Sequence, residues 1–258
     1  MTATSLARST WPVVSRGAVV LVPTGSVEQH GPHLPLETDG IVATAVAERA
    51  AERLRLADPG TAVLVAPTVP YGASGEHQSF PGTVSIGHDA LRRMLVELVR
   101  SLHEWAGRVV FVNGHGGNVP SLTGAVTQLI AEGHDLAWAP CGVPHGDAHA
   151  GRTETSLLLH LVPSSVELDR AEPGNDTPLA ELMGQLTAGG VASVSPNGIL
   201  GDPSGASAEE GEAILEAMVA SAVRRIEAGR VDGRGCLRDP EQAAQGQTPQ
   251  GLQDGAIG

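Results

Sequence analysis

Arg108–Asn118, RVVFVNGHGGN, is a run of apolar, mostly β-branched residues that breaks off into glycine, histidine and asparagine. The run lacks polar alternation, so it reads as a short strand buried on both faces, and the glycines beyond it let the backbone turn sharply and approach a ligand. The pattern repeats outward from this point. Strand-length runs at Ala18–Pro23, Ala62–Pro67 and Leu136–Ala139 alternate with segments of helical period at Ile41–Leu56, Asp89–Ala106 and Val119–Glu132. That order predicts an α/β fold with a mostly parallel sheet and helices on both faces. In the segment Asp89–Ala106, Leu91, Met94, Leu95, Leu98 and Leu102 form one apolar stripe. A later helix, about Ala208 to Ala228, opens with Ser207 and Glu210 at the spacing of a capping box.

A chain of 258 residues suffices for one large domain, expected over 18–231 behind an N-terminal extension, 1–17. Residues 232–258 are rich in Gly, Gln and Pro with little to bury, and are expected to form a disordered tail. Ala18–Val22 and Val109–Val112 fall far short of the ~20 residues of a membrane span, and MTATSLARSTWPVV lacks the apolar core of a secretory signal. A cytoplasmic protein without a membrane partner is expected. A formal net charge of −13 repels phosphate backbones, and three Trp, one Tyr and two Phe offer little base stacking, which argues against nucleic acid. Cys141 and Cys236 form no CxxC or Cys/His cluster and read as bland.

Polar residues gather in the loops that follow strands, where an open α/β sheet builds its sites. PTGSVEQHGPHLPLETDG places Glu28 and His30 two apart, so that in extended chain both side chains face one ion. Asp39, at the start of the next helix, either caps that helix or folds its two oxygens back to bridge two ions. His115 stands at the C-terminal end of the third strand, as a core hydrogen-bonder or a ligand. Two glycine-flanked polar segments at equivalent strand ends favour a shared metal site. HAGRTETS adds His149 and Glu154, the latter also readable as a first-turn acid complementing its helix dipole.

The segments TGSVEQHGPHLPLETD, EHQSFPGTVSI, VNGHGGN and HAGRTETS, in this order and at these spacings, resemble the creatininase (creatinine amidohydrolase) family from about Ala18 to Ala228. GEHQSFPGTVSIG, FVNGHGGNV and HAGRTETSLLLHL together are most similar to its peptidase branch, that of mycofactocin maturation. The resemblance implies a creatininase-like fold, with Glu28, His30, Asp39 and His115 as metal ligands and Asp39 bridging two divalent ions per chain. Nitrogen and carboxylate donors suit Zn, Fe or Mn. Creatininases proper have a metal-binding glutamate where this chain has Gly117, and the resemblance makes Glu154 its replacement at the second ion. His149 is implied as the catalytic proton donor or orienter, with a supporting hydrogen bond to Glu154 or Asp147 as its other reading.

The activity implied is metal-dependent hydrolysis of an amide, with a modified precursor peptide cut before its modified C-terminal Val-Tyr. A small lactam, creatinine-like or formamide substrate is the alternative, and a non-catalytic metal-binding assembly protein the alternative of another class. The family's loop tryptophan is missing from CGVPHGDA, which argues against creatinine itself. A homo-oligomer, commonly a hexamer in this family, is also implied. Glu76 and His77 read equally as pocket lining or as an exposed loop pair. Arg152 reads as a substrate-carboxylate partner or, more commonly, a solvated helix-start residue. His33, His88, His103, His134, His145 and His160 read as structural or surface residues.

Overall fold

The computed structural model describes residues 5–144 and 146–241. Its four strands are β1 (Val19–Thr24), β2 (Val63–Val65), β3 (Arg108–Asn113) and β4 (Leu136–Pro140). They form one parallel sheet in the order β2-β1-β3-β4, with Val20 opposite Leu64 and Val109, and Val110 opposite Ala137. The helices are α1 (Thr38–Ala57), α2 (Gly87–Leu102), α3 (Val119–Ala131), α4 (Arg152–Leu161), α5 (Leu179–Gly189) and α6 (Ala208–Ala228). None of the described helices is long and apolar enough to cross a membrane.

Each strand feeds both faces because its side chains alternate. Leu21, Val110, Val112 and Ala139 pack with Val46 of α1, Leu157 of α4 and Leu215 of α6. Their neighbours Val20, Val22, Phe111 and Trp138 pack with Leu95 of α2 and Leu122 of α3. The expected parallel sheet with helices on both faces is therefore the one observed. On α2 the buried stripe runs through Leu91, Leu95 and Val99, while Met94 is exposed. The helix also ends at Leu102, short of the expected Ala106.

This strand order has one consequence for the site. From β1 the chain moves to β2 on one side, then crosses back to β3 on the other, so the loops leaving β1 and β3 diverge and open a crevice between the C-terminal ends of the two strands. The first turn of α1 is drawn into that crevice. A Cβ on Gly25 would lie 2.5 Å from Gly40 N, and one on Gly114 would lie 2.5 Å from the Asp39 carbonyl oxygen, so only glycine allows both loops to touch the helix start.

Both sheet edges are covered. Ser5 bridges Val65 beside β2, within the segment expected as an N-terminal extension. Beyond α6, residues 232–241 are not the loose tail that their composition suggested. Trp138 N–H donates to the Gly235 carbonyl (3.1 Å) and Leu237 N–H to that of Trp138 (2.8 Å), so this segment pairs with the free edge of β4. Composition hid this because one fully buried side chain, Leu237, and the Arg224–Asp239 ion pair anchor the segment. The rest of the expected tail, 242–258, lies outside the described residues. At α6, Ser207 Oγ accepts from Glu210 N–H (3.1 Å), whereas the Glu210 carboxylate turns to Arg152 and Ser156, so half of the expected capping box forms.

Leu237→Ala is expected to lower the unfolding free energy by about 2–5 kcal/mol in a urea titration, the cost of a buried large-to-small change. An unchanged midpoint would contradict the packing of this segment.

Candidate metal centre

The loop leaving β1 places Glu28 and His30 inside the crevice, and both are fully buried. Glu28 N–H donates to the Leu36 carbonyl and Val84 N–H to that of Val27, which pins the loop at both ends. Asp39, in the first turn of α1, and His115, after β3, are also buried. The Asn118 carboxamide ties the loops together, donating to the Gly25 carbonyl (3.0 Å) and accepting from Ala73 N–H (2.9 Å). His149 and Glu154 approach from the loop before α4 and its first turn.

The two oxygens of Asp39 face different imidazoles. Oδ1 lies 3.1 Å from His30 Nε2, and Oδ2 lies 3.5 Å from His115 Nδ1. His115 Nδ1 is also 3.2 Å from Glu28 Oε2, and His30 Nε2 is 3.9 Å from Glu154 Oε2. Glu28, Asp39 and His115 thus bring donor atoms within 4.8 Å of one another, as do His30, His149 and Glu154. All six residues that the sequence singled out converge here. Glu154 has a local role too, since it accepts from Ala150 N–H at 2.6 Å.

Glu76 and His77 belong to the same cluster. The exposed-pair reading fails: both are buried, on a short helical turn at Gly75–His77, with His77 Nε2 3.4 Å from Glu28 Oε1. The Glu76 carboxylate stands over Gly117, where a Cβ would lie 2.7 Å from Glu76 Oε1 and 2.4 Å from His115 Nε2. A side chain at position 117 would therefore displace Glu76. Gln29 was not anticipated at all; its buried amide lies 2.9 Å from His77 Nδ1 and donates at 2.9 Å to the carbonyl of Gly198, far away in sequence. No local pattern signals such a contact. Arg152 pairs with Glu210 (2.7 Å) and His33 with Thr155 Oγ1 (2.8 Å). His88 bonds Ser121, His103 stacks on His134, and His160 meets Arg49. His145 lies outside the described residues.

The electrostatics are those of a crowded anionic pocket. Burial opposes charge on every group, yet Asp39, Glu154 and Glu28 outweigh it at His30 and raise its pKa to about 10. At His115 burial is likewise overcome, by Glu28 and Asp39, and its pKa also reaches about 10. Burial and the neighbouring Glu28 push Asp39 up to about 6, while Glu28, despite its burial, is held well below the usual carboxylate range by His115 and His77. Burial, then repulsion from His30, lowers His149 to about 4. Burial and Asp39 push the Cys141 thiol to about 12, so it stays protonated and is a poor ligand.

A divalent cation fits this donor set. Both carboxylate oxygens of Glu28, and Oδ2 of Asp39, are buried without a hydrogen-bond partner, a costly state that a cation relieves. His30 Nδ1 sits 3.1 Å from the Glu28 carbonyl and His115 Nε2 3.2 Å from that of Ala73, the backbone anchoring typical of ligand histidines.

Comparison with known proteins places the fold in one family. The sequence profile of the creatininase (creatinine amidohydrolase) family matches residues 7–226, and so takes in much of the expected N-terminal extension. A relative from Mycobacterium ulcerans, named mycofactocin precursor peptide peptidase, is 57% identical over 220 residues, covering 84% of this chain and 86% of its own. A crystal structure of a creatinine amidohydrolase-like protein from Bacteroides fragilis superposes with a TM-score of 0.74 at 28% identity, covering 90% of this chain and 99% of the other. A creatininase variant described as of Zn-Zn type superposes at 0.72, also 28% identical, over 88% and 98% of the two chains.

Because His30 and His115 are imidazolium at pH 7 without metal, metal uptake is expected to release protons, and affinity to rise with pH up to about 10. Titration calorimetry in buffers of different ionisation enthalpy reads this directly; a heat independent of buffer would contradict it.

Proposed function

The chain belongs to the creatininase family of hydrolases acting on C–N bonds, and we propose that it is a peptidase using two divalent ions, of Zn, Fe or Mn, to cleave a modified precursor peptide. Its substrate is the mycofactocin precursor peptide, cut before the modified C-terminal Val-Tyr. The observation that carries the two-ion reading is Asp39, whose two oxygens face His30 and His115 separately. Glu28, Asp39 and His115 would hold one ion, and His30, Asp39 and Glu154 the other. The loops around the cluster favour a peptide over creatinine. CGVPHGDA carries no aromatic side chain to close over a small ring, and Leu36, Tyr71 and Val84 stand half-exposed on the loops that bear the cluster.

When bound, the ions supply Lewis acidity, polarising the amide carbonyl and lowering the pKa of water towards ~7. The protein's own groups handle the proton. His149 Nε2 donates to the Gln29 main-chain carbonyl (2.8 Å), so Nδ1 keeps its lone pair and faces the carboxylates, 3.8 Å from Glu28 Oε1. Burial disfavours the charged ring, so His149 is neutral at pH 7 and free to accept the proton of the attacking water. Once protonated, it readily gives that proton to the departing amine. Burial of the cluster keeps bulk water from competing for these contacts.

The same proposal places the enzyme in the cytoplasm as a homo-oligomer. Trp11 and Val13, 86% and 70% exposed, offer apolar area for a second copy to cover.

Stripping the protein with a chelator is expected to abolish cleavage of the modified peptide, and adding Zn²⁺, Mn²⁺ or Fe²⁺ to restore it. Chromatography should show the unmodified peptide and creatinine left intact. Rapid creatinine turnover, or cleavage that survives chelation, would overturn this reading. His149→Ala is expected to lower kcat about 10²–10⁴-fold, the range of a general acid–base group, at unchanged metal content.

A further inference from the structure

Four imidazoles surround the carboxylates, and three are anchored alike. His30 Nδ1 lies 3.1 Å from the Glu28 carbonyl, His115 Nε2 3.2 Å from that of Ala73, and His149 Nε2 2.8 Å from that of Gln29. A carbonyl oxygen only accepts, so each contact fixes an N–H outward and turns the opposite nitrogen toward the cluster. His77 is the exception. Its Nδ1 lies 2.9 Å from Nε2 of the Gln29 side chain, which is a donor.

The neighbours of that amide settle its orientation. Gly31 N–H donates to Gln29 Oε1 (2.8 Å), and the Gly198 carbonyl accepts from Gln29 Nε2 (2.9 Å). A flipped amide would set donor against donor and acceptor against acceptor. Gln29 Nε2 also lies 3.1 Å from His149 Nε2, but that nitrogen already donates to the Gln29 main-chain carbonyl at the shorter distance of 2.8 Å, so the two amide hydrogens go to Gly198 and to His77 Nδ1. His77 must then carry its proton on Nε2, the atom 3.4 Å from Glu28 Oε1 and 4.0 Å from Glu76 Oε1.

We propose that Gln29 is a positioning residue. Its side-chain amide and main-chain carbonyl set two facing histidines to opposite tasks, His77 presenting an N–H and His149 a lone pair to the reacting amide. The two rings lie 4.5 Å apart, centroid to centroid, so a single residue governs both. Glu28, His77 and His149 bring donor atoms within 4.8 Å, as a third metal site would. For His77 Nε2 to become a ligand its proton would have to move to Nδ1, against the Gln29 amide donor, so the group is instead a fixed donor–acceptor pair beside the metal centre. A preorganised N–H of this kind stabilises negative charge developing on a carbonyl oxygen, while the lone pair takes the proton of water. The inference rests on the cluster being the hydrolytic site proposed above.

The test is long-range ¹H–¹⁵N correlation spectroscopy of the full chain labelled at histidine nitrogens and loaded with Zn²⁺, which is diamagnetic. Signals are assigned with His77→Asn and His149→Asn. Both His77 and His149 are expected to carry the proton on Nε2. Gln29→Ala removes the amide but keeps the main-chain carbonyl, so it should release the His77 tautomer while leaving that of His149 unchanged. In that variant kcat should fall about 10- to 100-fold, with KM and zinc content near wild type, the scale of losing a supporting partner. A wild-type His77 protonated at Nδ1, or a His77 signal indifferent to Gln29→Ala, would overturn the proposal. Where the variant does not fold, the wild-type spectrum alone decides. Failure of His30 and His115 to shift with zinc would instead count against the metal centre, with the His77 and His149 tautomers still readable.

Discussion

Everything in this site depends on how closely the first turn of α1 is pressed between the ends of β1 and β3. Gly25 and Gly114 touch the backbone around Asp39 at distances that no side chain tolerates. Moved outward by the width of a methyl group, Asp39 would lose one of the two imidazoles that its oxygens now face. The strand order β2-β1-β3-β4 opens the crevice, and the two glycines let the helix start fill it. Backbone contact, not side-chain chemistry, is thus the first determinant of the candidate metal centre.

The second determinant is charge. Four carboxylates and four imidazoles share a pocket that is almost entirely buried, and without a cation the imidazoles at 30 and 115 hold protons to about pH 10. Protons and metal ions are alternative answers to the same excess of negative charge. Backbone carbonyls decide which nitrogen of each ring is available, so the polar framework acts before any ligand arrives. His77, anchored by an amide instead of a carbonyl, breaks that rule in the same pocket.

Much of this was legible in the chain itself. Apolar runs of strand length separated by helical periods gave the parallel sheet, because a strand buried on both faces has no polar alternation to disguise it. Glu28, His30 and His115 stood out because they sit in glycine-flanked loops at strand ends, whereas Asp39, His149 and Glu154 were singled out with the help of the family resemblance, and the structure brings all six together. What escaped was set by tertiary contact. Glu76 and His77 read equally as pocket lining or as an exposed loop pair until the loops closed over them, and Gln29 acquires its partner Gly198 from far along the chain. Residues 232–241 looked too polar to pack, yet edge pairing to β4 and the single side chain of Leu237 hold them.

The central claim is a two-ion centre bridged by Asp39. Anomalous diffraction from crystals grown with Zn²⁺ or Mn²⁺ tests it most directly. The account predicts two peaks, one among Glu28, Asp39 and His115 and one among His30, Asp39 and Glu154. A single peak, or a peak among Glu28, His77 and His149, would contradict it.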